Sequence, residues 1–222
     1  MRGFLLKYGP FAVLAVCVLE VLIAIACGRR YQKTKDPLAL CVCVLTAGLV
    51  YDAAVCVLGS VIGEGGFLKT ISFFRYLFSG ILIPLLLPIG FYGIKASDQT
   101  MKIVWIAAVL IMVAGAASAF ATKLEAREIA GIVRYAAADS TPKWADLISM
   151  LQSVGMVVPL ILLGIWAWVK RKNPLLFLGG AAMFAFSALG PATGNTDLIF
   201  MISMFGELLM VLCMERFSAA AK

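Results

Sequence analysis

The chain has 222 residues, of which 63% are hydrophobic and 14% charged, with a mean hydropathy of +1.00. Soluble domains run near about 45–50% apolar and about 25% charged, so this composition excludes an ordinary globular domain and predicts a polytopic membrane protein. The formal charge is +7 and histidine is absent; the positive excess sits in short loops beside apolar runs, which argues against a nucleic-acid partner, and the lack of histidine excludes His-ligated zinc or haem and any Ser-His or Cys-His dyad.

A membrane helix needs about 20 apolar residues to cross about 30 Å of hydrocarbon. The length therefore allows about seven spans, and the fold class expected is all-α: one helical bundle over residues 1–222 with seven transmembrane helices. The first apolar run, 10–28, lies between Arg2, Lys7 and the pair Arg29-Arg30 and carries Glu20. It is too long and too acidic for a signal-peptide core and is read as a span. Asp36-Pro37 then opens the second helix, 37–62, with the cap-then-proline order of helix starts. On it Gly48, Asp52, Cys56 and Gly59 recur at helical spacing, a small-residue face that turns Asp52 toward protein rather than lipid.

A Gly63-Glu64-Gly65-Gly66 turn leads to the third helix, 70–92, with Ser72, Arg75 and Ser79 on one face. Pro84 and Pro88 follow; each frees a carbonyl four residues earlier, that of Gly80 and that of Pro84, and bends the helix. The fourth helix, 101–121, is rich in alanine and glycine and reads as packing. In 122–142 apolar residues recur between Glu125, Arg127, Glu128 and Arg134, which reads as an amphipathic surface helix and a candidate lid. A fifth helix, 145–169, ends in Trp166, Trp168 and Lys170-Arg171-Lys172, an interfacial anchor. A short sixth helix, 174–189, a turn at 190–195 and a seventh helix, 196–214, with Gly206-Glu207 at its centre complete the chain. No internal repeat is visible.

Lysine and arginine set the orientation. The loop Arg29 to Lys35, Lys95, Lys102, Lys170 to Lys172, Arg216 and Lys222 outweigh Arg2, Lys7, Lys69 and Lys123, Arg127, Arg134 and Lys143 on the other side. The positive-inside rule then gives N-out, C-in in the cell membrane. The six cysteines (Cys17, Cys27, Cys41, Cys43, Cys56 and Cys213) all lie in apolar segments, and Cys41-Val42-Cys43 lacks the two-residue spacer of redox or zinc pairs. They read as small buried hydrophobes, and no cofactor or metal site is expected.

The charges inside the spans define the candidate site. An acid or arginine at the bilayer centre costs about 2.5–3.5 kcal/mol on insertion scales, so each needs a partner, a cavity or a proton. At about 1.5 Å per residue, Glu20, Asp52 and Glu207 all fall about 15 Å from a helix end, near the midplane, and Arg75 lies within reach of Asp52. One arginine cannot neutralise three carboxylates, so at least one acid carries a proton or opens to water. Tyr51, Glu64, Ser79 and Asn195 form a secondary set.

The motifs Tyr51-Asp52, Gly63-Glu64-Gly65, Arg75-Tyr76 and Pro84-Leu85-Leu86, with late Gly194-Asn195 and Gly206-Glu207, resemble those of an uncharacterised multi-pass membrane family. The chain departs from its pattern at Ala53, where the family tends to have Asn, and at Ser79, where it tends to have His. The resemblance implies a shared site without an assigned activity. No lysine lies midway along 196–214 for a retinal Schiff base, and Tyr51-Asp52 lacks the Gly-x-Gly-Asp partner of intramembrane aspartyl proteases. Three readings stay open. The first is proton- or cation-coupled, or small-solute, transport through Asp52, Glu207, Glu20 and Arg75. The second is a membrane-embedded lipid-handling enzyme with Asp52 or Glu64 as acid or base and Arg75 holding an anionic head group, and the third a non-catalytic scaffold. Besides the bilayer itself, the ligand classes these readings name are a proton, a cation or a lipid.

Overall fold

The computed structural model describes residues 2–192 and 194–220, with side chains placed for 7–187 and 194–220. Of the residues discussed above, Thr193 and Lys222 lie outside the described ones. The helices are α1 (Arg2–Thr34), α2 (Pro37–Ile62), α3 (Gly66–Leu82), α4 (Leu86–Gly93), α5 (Asp98–Ala121), α6 (Lys143–Gly155), α7 (Val157–Arg171), α8 (Leu175–Ala192) and α9 (Thr196–Ala220). Six stretches are long and apolar enough to cross a membrane: Lys7–Thr34, Pro37–Ile62, Gly66–Gly93, Asp98–Ala121, Lys143–Arg171 and Thr196–Ala220. The apolar part of α8, Leu175–Ser187, is shorter than these spans. This is the composition and architecture of a multi-pass helical membrane protein.

Local sequence accounts for where the helices start and bend. The Asp36 carboxylate accepts from the Leu38 amide at 3.0 Å with Pro37 at the first helical position, and the Ser97 hydroxyl caps α5 through the Thr100 amide at 3.2 Å. A single 3-10 turn, Ile83–Leu85, separates α3 from α4 at Pro84, and α6 gives way to α7 at Met156, three residues before Pro159. The Gly80 carbonyl that Pro84 releases accepts from the Gln152 Nε2 at 3.2 Å, and the same amide group reaches the Ile111 carbonyl at 2.8 Å. The side chain of α6 thus satisfies a backbone group that would otherwise stand unpaired in hydrocarbon.

One expected element is different. Residues 122–142 hold no helix but a β-hairpin, β1 (Leu124–Ile129) paired antiparallel with β2 (Ile132–Ala137), Ile129 opposite Ile132. The two-residue turn Ala130-Gly131 has φ of 53° and 76°, the left-handed pair of a type I′ turn. Alternation of apolar and charged residues along Leu124-Glu125-Ala126-Arg127 carried the strand signal; without the usual Asn-Gly the turn was hard to see. The sequence reading also ended helix six at 189, whereas α8 continues through Ala192.

The hairpin lies across one end of the bundle. Its turn meets the starts of α1 and α9: a Cβ on Gly9 would strike the Ala130 carbonyl, and the Ala130 amide donates to the Asp197 carboxylate at 2.8 Å. Strand β2 is held on α2 and α3. A Cβ on Gly59 would strike the Val133 carbonyl, Arg75 Nη2 donates to the Tyr135 carbonyl at 2.8 Å, and the Ala137 amide donates to the Tyr76 hydroxyl at 3.0 Å. The opposite end is closed by Arg30 of α1, which pairs with Glu215 of α9 at 2.5 Å, and by Arg171 of α7, whose guanidinium donates to the Gly93 carbonyl. Helices α1 and α9 therefore run parallel, with their starts at the hairpin end.

Candidate functional site

Beneath the hairpin, a polar cavity of about 210 Å³ reaches toward the middle of the bundle. Its walls carry Asp52 of α2, Arg75 and Ser79 of α3, Arg134 of β2, Gln152 of α6 and Glu207 of α9. Hydroxyls of Ser118, Thr122, Ser149 and Ser153 line the sides toward α5 and α6. Four formal charges and a ring of hydroxyls in a hydrophobic bundle are costly to assemble, which marks this cavity as the candidate site.

The Asp52–Arg75 pair expected across α2 and α3 is present, Nε to Oδ1 at 3.2 Å. Arg75 is 3% exposed, with Nη1 3.5 Å from the Cys56 Sγ and the guanidinium 5.2 Å from the centroid of the Tyr76 ring. Its four contacts, two on α2, one on the hairpin and one on its own helix, fix its orientation. The small-residue face of α2 makes this possible: Gly48 takes Leu82, Cys56 takes Arg75, and Gly59 takes the hairpin backbone.

Arg134 enters the cavity from above. Its cross-strand neighbour Arg127 turns outward to Glu125 and Asp139, whereas Arg134 stacks over the Phe200 ring at 4.6 Å. Its Nε is buried and has no hydrogen-bond partner. Glu207 is half-buried, faces the same space and lies in the fields of Asp52, Arg134 and Arg75, yet forms no ion pair among the described residues. Glu20 is 1% exposed, with Oε2 buried and unpartnered. It does not line the cavity, but it lies within electrostatic range of Glu207 and Asp52 on the side away from the hairpin. Past Glu20, toward the Arg30–Glu215 end, the bundle interior is apolar: Ile23, Cys27, Val42, Val211 and Met214 are all buried.

The cavity thus brings together Asp52, Arg75, Ser79 and Glu207 of the residues singled out in the sequence, with Glu20 just below. The others lie elsewhere. Tyr51 donates to the Ile71 carbonyl at 3.0 Å and packs edge-on against Phe78, away from the cavity. Glu64 is exposed in the turn before α3, which removes it as an acid or base for this site. Asn195 caps α9, its Oδ1 accepting from the Asp197 amide at 3.0 Å. Sequence reading missed Arg134, counted as a loop charge, and the wall on α6. Ser149, Gln152 and Ser153 carried a signal, since they recur at helical spacing on one face of an apolar helix.

The fold and the cavity define a multi-pass helical membrane protein with a polar chamber inside the bundle. No protein-family model matches the chain, and no curated protein matches it significantly.

Proposed function

We propose that the cavity beneath the hairpin binds a small anionic group, a phosphate or carboxylate, and that Glu207 acts on it as a proton donor or acceptor. The protein on this reading is a membrane-embedded handler of an anionic compound, placed N-out, C-in in the cell membrane by the excess of basic residues at the Arg30 and Arg171 end. One observation carries the proposal: Arg134, which lines the cavity, is held over Phe200 with a buried Nε that has no hydrogen-bond partner. A buried donor without an acceptor costs about 1–3 kcal/mol, so a ligand supplying that acceptor is favoured. The charge of Asp52 is already committed to Arg75, and the Ser79 hydroxyl in the same wall adds a neutral donor of the kind that coordinates oxyanions. Acid or base work then falls to Glu207, which has no fixed ionic partner among the described residues.

Titrating the detergent-solubilised chain with glycerol 3-phosphate tests this reading. Arg134→Gln should weaken binding about tenfold or more, the loss of a charge-assisted hydrogen bond. Unchanged binding would refute it.

Proton- or cation-coupled transport is supported by a different observation, the line of carboxylates from the cavity through Glu207 and Asp52 to buried Glu20. Against it stands the apolar layer of Ile23, Cys27, Val42 and Val211 beyond Glu20. In liposomes, a pH-driven cation flux abolished by Glu207→Gln and by Glu20→Gln would favour transport over the anion site.

A further inference from the structure

Two apolar clefts run along the bundle surface on either side of α6, and each shares a wall residue with the polar cavity. One, of about 310 Å³, lies between α5 and α6 and is lined by Leu110, Ile111, Ala114, Leu151 and Met156, with Gln152 at its inner edge. The other, of about 280 Å³, lies between α6–α7 and α8 and is lined by Val154, Val157, Met183 and Phe184, with Ser153 at its inner edge. Gln152 and Ser153 also line the polar cavity. The charged chamber and the two lipid-facing apolar clefts therefore adjoin at adjacent residues of one helix.

The α6 helix suits such a junction. Its polar face, Ser149, Gln152 and Ser153, turns into the chamber, while Leu147, Met150, Leu151 and Val154 are exposed around it. Gly80 and Gly115 let α3 and α5 approach so closely that a Cβ on either would strike the other's backbone. Gln152 is wedged against that crossing, bonded to the Gly80 and Ile111 carbonyls. Gln152, the boundary between the chamber and the α5–α6 cleft, is thus held in place by two hydrogen bonds to backbone carbonyls. Ser149 and Ser153, both in the chamber wall, are exposed on α6, so the chamber that the hairpin covers has polar wall residues at the bundle surface beside the clefts.

We infer that the ligand is a two-chain anionic membrane lipid, its head group in the chamber on Arg134 and its acyl chains in the clefts on either side of α6. This rests on the anion-binding reading above and names its substrate class. The chamber holds Glu207 as well as Arg134, so a phosphodiester falls to Arg134 and a hydroxylated head donates a hydrogen bond to Glu207, a bond that the quaternary ammonium of phosphatidylcholine, with no N–H, does not make. The clefts select a lipid over a free phosphate. A water-soluble phosphate leaves both empty, whereas acyl chains fill grooves already lined by apolar side chains.

The test measures binding to the full chain in neutral detergent by native mass spectrometry, with dioleoylphosphatidylglycerol, dioleoylphosphatidylcholine and glycerol 3-phosphate as separate probes. Phosphatidylglycerol should bind at least about tenfold more tightly than either of the others. Ala114→Trp, which fills one cleft, should weaken phosphatidylglycerol about tenfold and leave glycerol 3-phosphate unchanged, whereas Arg134→Gln should weaken both. Because a large side chain at 114 is open to misfolding, Met183→Trp in the other cleft serves as an independent variant, and retained glycerol 3-phosphate binding shows that each variant is folded. Equal binding of phosphatidylcholine, or phosphatidylglycerol binding unaffected by both tryptophans, overturns the lipid inference while leaving the anion site standing. Loss of no ligand in Arg134→Gln overturns the anion site itself.

Discussion

Removing Arg75 perturbs three contacts at once, and the size of the effect follows from their burial. Arg75→Gln deletes a guanidinium that is 3% exposed, leaving Asp52 without its cation, the Tyr135 carbonyl without its donor and the Cys56 thiol without its neighbour. Breaking a buried pair from one side costs about 3–5 kcal/mol in soluble proteins. Here Asp52 keeps 24% of its side chain exposed to the cavity, so water relieves part of the orphaned charge and the expected cost sits at the low end, about 3 kcal/mol. Asp52→Asn should cost less, about 1–2 kcal/mol, because Asn still accepts from Arg75 and the hairpin clamp through Tyr135 survives. The double variant should fall short of the sum by about 1–2 kcal/mol, which is the coupling of the pair. The assay is reversible unfolding in mixed micelles across denaturant for all four proteins. Additivity within about 0.5 kcal/mol would refute the pairing as an energetic unit, whatever its geometry.

Gln152→Leu should destabilise by about 1–3 kcal/mol, since the Gly80 and Ile111 carbonyls lose their donor, and Pro84→Ala should recover part of that loss by returning a backbone amide to Gly80; equal losses in the two backgrounds would show that Gln152 does not serve the proline-freed carbonyl. Gly59→Val should displace the hairpin by driving a side chain into the Val133 carbonyl, read as faster proteolysis between residues 122 and 142, and unchanged digestion would contradict the tight approach of α2 and β2. A cysteine at Asn173, beside Lys170 to Lys172, should resist an impermeant thiol reagent applied to intact cells; ready labelling would invert the proposed orientation.

Most of the bundle could be read from the chain because the rules that build it are local. Apolar length gave the spans, Asp36-Pro37 gave the start of α2, and Pro84 forecast a freed carbonyl at Gly80 that Gln152 now occupies. The midplane charges were legible for the same reason: an acid in an apolar run has few places to go, and Asp52 meets Arg75 as its cost requires. The hairpin was not legible as such, because six-residue strands with mixed charge give helical and alternating periods of similar strength, and Ala130-Gly131 replaces the strongest turn signal. Once the hairpin was read as a surface helix, Arg134 became a loop charge. Its role depends on the strand pairing that sends Arg127 outward and Arg134 inward, a tertiary fact that no local window contains. The misplacement of Glu64 and Asn195 has the converse cause: both sit in motifs beside the spans, where proximity in sequence does not bring a side chain into the cavity.

The most direct test is a density map of the chain in nanodiscs of phosphatidylcholine with phosphatidylglycerol, at a resolution that shows head groups. The account predicts a phosphate on Arg134 beneath the hairpin, with chain density along both flanks of α6. A cavity holding only water, with Arg134 turned onto Glu207 and both clefts filled by unselective annular lipid, would contradict it.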